Sequence, residues 1–259
     1  MSKVICTTRV SMRAILIPLL IVPLMAVAAS REGRLERAPI DPSDAISIQR
    51  GAQVFVNYCL NCHGAESMRY NRLEDLGLTQ QQIKDNLMFA ADKVGDTMTV
   101  AMRGSDASKW FGVAPPDLSV IARARGADWL YAYLRSFYRD DGRDGGWNNL
   151  IFPNVGMPHV LYELQGEQVL RSSPGPEAES ATGAEALVLK TPGKLSVADY
   201  DGLVADLVNY LVYMSEPARE ARIRLGYAVL IFLGVLFVPV YLLKREYWKG
   251  IHQGAPRPD

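Results

Sequence analysis

The sequence predicts a mostly α-helical exported domain held to a membrane by one helix near the C-terminus. Three observations carry that expectation. Apolar residues recur at helical spacing in Ala45–Tyr58 and again in Ser196–Met214. Leu225–Leu243 runs about 19 residues without a charge, roughly 28 Å of helix and enough to cross a bilayer. The first residues combine Lys3, Arg9 and Arg13 with a short apolar run and a small-x-small end, the pattern of an export leader. Composition narrows the function classes further. Lys+Arg and Asp+Glu both number 28 in 259 residues, so the clustered positive charge that neutralises a phosphate backbone is absent and a nucleic-acid partner is excluded.

Taken in order, residues 1–28 read as a leader that is removed on export. The apolar run Ala14–Ala28 is about 15 residues and contains Pro18 and Pro23, too short and too interrupted for a stable membrane span. Residues 29–222 form the exported domain. Setting aside the charges of the leader and of the C-terminal tail leaves this domain acidic by about five charges, which suits a basic soluble partner as well as it suits ordinary solubility.

Ala45–Tyr58 leads directly into Cys59-Leu60-Asn61-Cys62-His63-Gly64. C-x-x-C-H is the attachment pattern for a c-type haem. Two cysteines one helical turn apart can form thioethers on one haem edge, and the adjoining His63 reaches the iron. A redox C-x-x-C needs no adjoining histidine, and a zinc site needs a fourth ligand. The exported domain offers no further cysteine and, besides His63, only His159.

Iron held by His63 takes a sixth ligand. Met157 lies in the loop Phe152–Pro158, whose Pro and Gly residues exclude regular structure, and it is the favoured candidate with His159 next. Met98 and Met102 fall in a helix-like stretch, residues 93–104, where methionine is more often core filler. Ala114–Ser119 (APPDLS) cannot be helix interior because of its paired prolines. It reads as a wall of the site, with a carbonyl at Pro116 available to the ring N–H of His63. Arg123 and Arg125 follow on a short helical run, and each is a candidate partner for a haem propionate.

Gln165–Lys194 is rich in Gly, Pro, Ser, Ala and Glu, with strand character only at Ala186–Lys190. Ser196–Met214 closes the domain as a helix, Ser196 and Asp199 forming a capping arrangement, and is expected to pack against Ala45–Tyr58. Residues 223–244 are the transmembrane helix. Thirteen positions of Leu225–Leu243 are Leu, Ile, Val or Phe, worth roughly −4 to −8 kcal/mol toward insertion. Residues 245–259 form a tail. Lys244, Arg245 and Lys249 place that end in the cytoplasm and the haem domain in the periplasm of a single-pass inner-membrane protein.

With the haem motif, APPDLS, the FPNVGMP loop at Phe152–Pro158 and the run Glu216–Arg222 standing in this order, the chain resembles the cytochrome c1 family from about residue 40 onward. That family is the haem subunit of the bacterial quinol:cytochrome c oxidoreductase, the cytochrome bc1 complex. The resemblance implies a class I cytochrome c-like haem domain with insertions. It makes Cys59 and Cys62 the thioether anchors of one haem c, His63 the proximal ligand and Met157 the distal ligand, and it favours Arg125 over Arg123 at the propionates. The implied partners are cytochrome b and a Rieske iron–sulfur protein as electron donor, with cytochrome c as acceptor, in a dimeric complex. Trp110-Phe111-Gly112 departs from the small or polar residues common before this wall in mitochondrial relatives. Such a relay needs no catalytic acid or base, in accord with the lack of a catalytic dyad. A free-standing membrane-tethered cytochrome is the alternative, and an acidic cluster of Asp140, Asp141 and Asp144 is a candidate for steering a basic partner.

Overall fold

The computed structural model describes residues 35–100, 102–171 and 186–253. The expected leader at 1–28 lies outside the described residues, as does most of the middle of the Gly- and Ser-rich segment.

Helix α1 (Ala45–Val54) begins at Asp44, whose carboxylate accepts the amides of Ile46 and Ser47 at 3.0 Å each, satisfying donors that a first turn leaves open. The expected helix continues to Cys59, but its last five residues, Phe55–Cys59, are π-helical. The Leu60 amide reaches back to the Phe55 carbonyl at 3.0 Å, widening the turn just where the haem motif starts, a place where such bulges recur at functional sites. Strand β1 (Ala65–Arg69) follows, then a 3₁₀ segment (Tyr70–Leu76) and helix α2 (Gln80–Asn86) with a Thr79–Gln82 capping box.

The stretch 93–104 is not helical. Strand β2 (Thr97–Met98) pairs antiparallel with β1, because β-branched Thr97 and Thr99 disfavour helix and a fully buried Met98 anchors the pair in the core. Helix α3 (Gly104–Phe111) starts only after it. Two short helices, α4 (Ile121–Arg125) and α5 (Ala127–Arg135), flank Gly126. Strands β3 (Phe137–Arg139) and β4 (Trp147–Asn149) form a small hairpin.

Helix α6 (Tyr162–Gln165) then leads to strand β5 (Gly166–Leu170), which pairs with β6 (Leu187–Pro192). The strand at 186–190 was legible in the sequence and its partner β5 was not. Gly166 makes the pairing possible: at φ +95° a Cβ there would stand 2.1 Å from the Thr191 carbonyl oxygen.

Helix α7 (Val197–Ser215) is capped by Ser196, whose Oγ accepts the Asp199 amide at 3.2 Å and donates to its carboxylate at 2.6 Å. It packs across α1, as the apolar spacing of both helices requires. The crossing is close because residue 51 is glycine: a Cβ there would lie 2.0 Å from the Asp206 carbonyl oxygen and 2.7 Å from Tyr210 Cβ. Around this crossing, Ile48, Phe55, Val204, Leu207 and Tyr210 are all but fully buried. Buried Asn209 ties the helices to the entry segment through bonds to the Asp41 carbonyl at 2.7 Å and Ser47 Oγ at 3.0 Å. Helix α8 (Arg219–Gln253) carries the uncharged span, and its apolar side chains from Leu225 to Leu243 are exposed.

Candidate haem site

A cavity of about 380 Å³ opens between the end of α1, the Ala114–Leu118 wall, α5 and the Phe152–Pro158 loop. Cys59, Cys62, His63, Pro116, Arg125 and Met157 all line it. Leu207 and Leu211 of α7 close its floor, so the α1–α7 crossing that builds the core also shapes the site. The size and apolar lining suit a buried cofactor.

Cys59 and Cys62 are free thiols. Burial pushes Cys59 up to about 12, with the neighbouring Cys62 adding to it, and burial also raises Cys62.

His63 Nδ1 donates to the Pro116 carbonyl at 2.7 Å, which fixes the tautomer and leaves Nε2 as the free lone pair for a metal. Burial lowers the His63 pKa, opposed by this bond and by the nearby Asp117 charge. Neutral imidazole is the form a metal needs. The wall is stitched to the strand that follows the motif: Asp117 accepts the amides of Glu66 at 2.7 Å and Ser119 at 2.8 Å, and the Leu118 amide reaches the Gly64 carbonyl at 2.8 Å. Position 116 is therefore held relative to position 63 by backbone, and Asp117 is a supporting residue that the sequence alone did not single out.

Met157 sits in a loop held by two buried amides, Asn148 and Asn149 of β4. Asn148 Oδ1 accepts the Asn154 amide at 2.8 Å; Asn149 Oδ1 accepts the amides of Ile151 and Phe152 at 2.9 and 3.0 Å. Asn154 adopts φ +62°, the left-handed conformation that asparagine tolerates better than most residues. A Cβ at Gly156 would come within 2.9 Å of the Phe111 carbonyl oxygen and of Val113 Cγ1, so the Trp110–Gly112 corner is the surface on which this loop seats. The Tyr133 hydroxyl donates to Met157 Sδ at 3.3 Å.

The competing ligands are elsewhere. His159 is 3% exposed, stacked on Phe137 at 4.9 Å and edge-on to Trp147 at 5.1 Å, and it does not line the cavity. Burial lowers its pKa to about 4. Met98 accepts from the Tyr210 hydroxyl in the core. Of the two arginines, Arg125 lines the cavity, its guanidinium 5.0 Å from the Trp129 ring centroid and 5.8 Å from that of Phe152. Among the described residues no carboxylate pairs with it, which leaves it available to an anionic group at the rim. Arg123 is not among the residues that line the cavity, and its charge helps to lower the pKa of Glu216. In the acidic cluster, Asp140 is a structural acceptor for Asn148 at 2.8 Å, whereas Asp141 and Asp144 are exposed.

Two thiols, an imidazole with a fixed tautomer, a thioether and an unpaired guanidinium around one apolar cavity fit a c-type haem. A family model described as the Cytochrome C1 family matches residues 36–169 and 196–251. The chain belongs to the cytochrome c1 family. It is 52% identical over 238 residues to a protein of Nitrosomonas europaea named ammonia monooxygenase gamma subunit, covering 92% of this chain and 97% of that protein. It is 48% identical over 235 residues to cytochrome c1 of Allochromatium vinosum, covering 90% and 96%. Against cytochrome c1 of Rhodospirillum rubrum it is 29% identical over 235 residues, covering 80% and 83%. Cytochrome c1 proteins carry a covalently bound c-type haem, and this chain is an electron-transfer haem subunit of the bc1 type, anchored in a membrane by α8.

Proposed function

We propose that this chain relays single electrons from a Rieske iron–sulfur protein to cytochrome c, one electron in and one out per cycle, beside cytochrome b in a dimeric complex. The observation that carries this reading is the convergence of Cys59, Cys62, His63 and Met157 on one cavity, with His63 Nδ1 already bonded to Pro116. The haem, when bound, supplies the one-electron couple. Everything else falls to the chain. Cys59 and Cys62 would hold the group covalently, and His63 and Met157 would ligate its iron. Arg125 offsets propionate charge at the rim. The apolar lining keeps water out, which limits the reorganisation that accompanies each change of charge.

Residues 1–28 serve as the export leader and 29–222 as the periplasmic haem domain. Lys244, Arg245 and Lys249 hold the tail on the cytoplasmic side. Exposed Asp141 and Asp144 steer a basic cytochrome c, so the rate of its reduction falls as salt rises.

The test is gentle detergent extraction through a C-terminal tag, followed by reduced-minus-oxidised spectra and quinol-driven cytochrome c reduction. Co-purifying b-type haem and iron–sulfur protein with activity support the relay. A c-type haem alone, inert to quinol, would instead make the chain a tethered shuttle. In the same preparation Met157→Ala removes the far-red methionine–iron band and lowers the potential; a surviving band would refute the ligand assignment.

A further inference from the structure

Tyr133 combines a partly buried ring, a donor hydroxyl and a sulfur acceptor in a way the site as described leaves unused. The ring is fixed from two sides, stacked on Trp129 at 4.9 Å and 10° and set edge-on to Phe137 at 5.1 Å and 67°. Its hydroxyl donates to Met157 Sδ at 3.3 Å. The residue is tied to the same loop a second time through its backbone: Asn149 Nδ2 donates to the Tyr133 carbonyl at 2.8 Å, while Asn149 Oδ1 accepts the amides of Ile151 and Phe152. Residue 133 and the Met157 loop are therefore tied together at two points, one through the hydroxyl and one through the backbone.

A thioether sulfur has two lone pairs and is a weak hydrogen-bond acceptor. Donation of one pair to a metal leaves the other for the phenol. The hydroxyl proton then draws electron density from the sulfur, making it a poorer donor to ferric iron, and places positive charge beside the metal. Both effects favour the reduced state.

We infer that Tyr133 is a positioning residue that raises the reduction potential of the haem by donating a hydrogen bond to the Met157 sulfur. This rests on the assignment of Met157 as an axial ligand. The role belongs to the hydroxyl, since the aromatic packing on Trp129 and Phe137 needs only the ring.

The test compares wild type, Tyr133→Phe, Met157→His and the double variant in the purified membrane complex, reading haem content, the far-red band and the midpoint potential. Tyr133→Phe is expected to keep its haem and a displaced far-red band while shifting the reduction equilibrium about three- to tenfold toward the oxidised form. That range follows from one net hydrogen bond and corresponds to about 30–60 mV for a one-electron couple. In the Met157→His background the same change is expected to shift the potential by less than half as much, because the sulfur is gone. An unchanged potential with the band retained would overturn the inference while leaving Met157 as ligand. An equal shift in both backgrounds would overturn it too, since the hydroxyl would then act as a general dipole. Loss of haem or of the fold in Tyr133→Phe also counts against it, because the ring alone should support packing. Failure of the ligand assignment is separable: it is read from Met157→Ala, where the band would survive.

Discussion

Gly51→Ala tests whether the helix crossing that frames the haem cavity depends on one missing methyl group. The added Cβ would stand 2.0 Å from the Asp206 carbonyl oxygen, 2.6 Å from its carbon and 2.7 Å from Tyr210 Cβ. Ordinary contact needs about 3.4 Å or more, so α1 and α7 must separate by more than an ångström, and the obstacle is main chain that cannot rotate away. Overpacking of this kind costs about 1–3 kcal/mol, and the upper end applies here. Alanine recovers about 1 kcal/mol through its helix propensity. The net loss is about 2 kcal/mol, or roughly 4–8 °C in Tm for a domain of this size. The separation would also strain the Asn209 bonds to Asp41 and Ser47 and lift Leu207 and Leu211 from the cavity floor. Thermal unfolding followed by far-UV circular dichroism and by the haem absorption band should fall together. An unchanged or higher Tm would show that the helices do not meet as closely as argued.

Two further outcomes follow from the site. His159 is held near pKa 4 by burial against an ordinary value of 6.5, so the unfolded chain takes up its proton first as pH falls. Stability is therefore full above about pH 6.5, declines between 6.5 and 4, and levels off below, by at most about 3 kcal/mol. His159→Phe should flatten that part of a stability-against-pH profile, and an unaltered slope would assign the acid sensitivity to other groups. Arg125→Gln should lower the haem potential, because a positive charge at the rim favours the added electron. An exposed pair is worth about 0.5–1 kcal/mol, which is about 20–40 mV by potentiometric titration. Arg123→Gln should leave the potential nearly unchanged, since that residue does not line the cavity.

Much of this molecule was legible in its residues because the signals were local. C-x-x-C-H places two thiols and an imidazole within one turn, whatever the rest of the chain does. The paired prolines at 115 and 116 exclude helix, and a carbonyl there does accept the His63 proton. Apolar spacing marked both long helices, and an uncharged run marked the membrane anchor. The errors share a cause. Residues 93–104 look helical by composition, but pairing with Ala65–Arg69 makes Thr97–Met98 a strand, and such pairing depends on a partner some thirty residues away. β5 was missed for the same reason, since its partner lies beyond a long insertion.

The sequence by itself marked Cys59, Cys62 and His63 as the candidate haem residues, and it marked the membrane helix and the family, because each depends on short-range spacing or on the length of an apolar run. Tertiary structure decided which of several candidate side chains line the cavity. It turned Met157 toward the cavity and buried His159 two residues away against Phe137 and Trp147, and it brought Arg125 to the rim while Arg123 on the same short helix is not part of the lining. It also placed the Tyr133 hydroxyl on the Met157 sulfur and bound Asp117 into the wall behind His63. The physical reason is that these choices depend on the direction of a side chain. Direction is set by packing between segments distant in the chain and leaves no trace in local spacing.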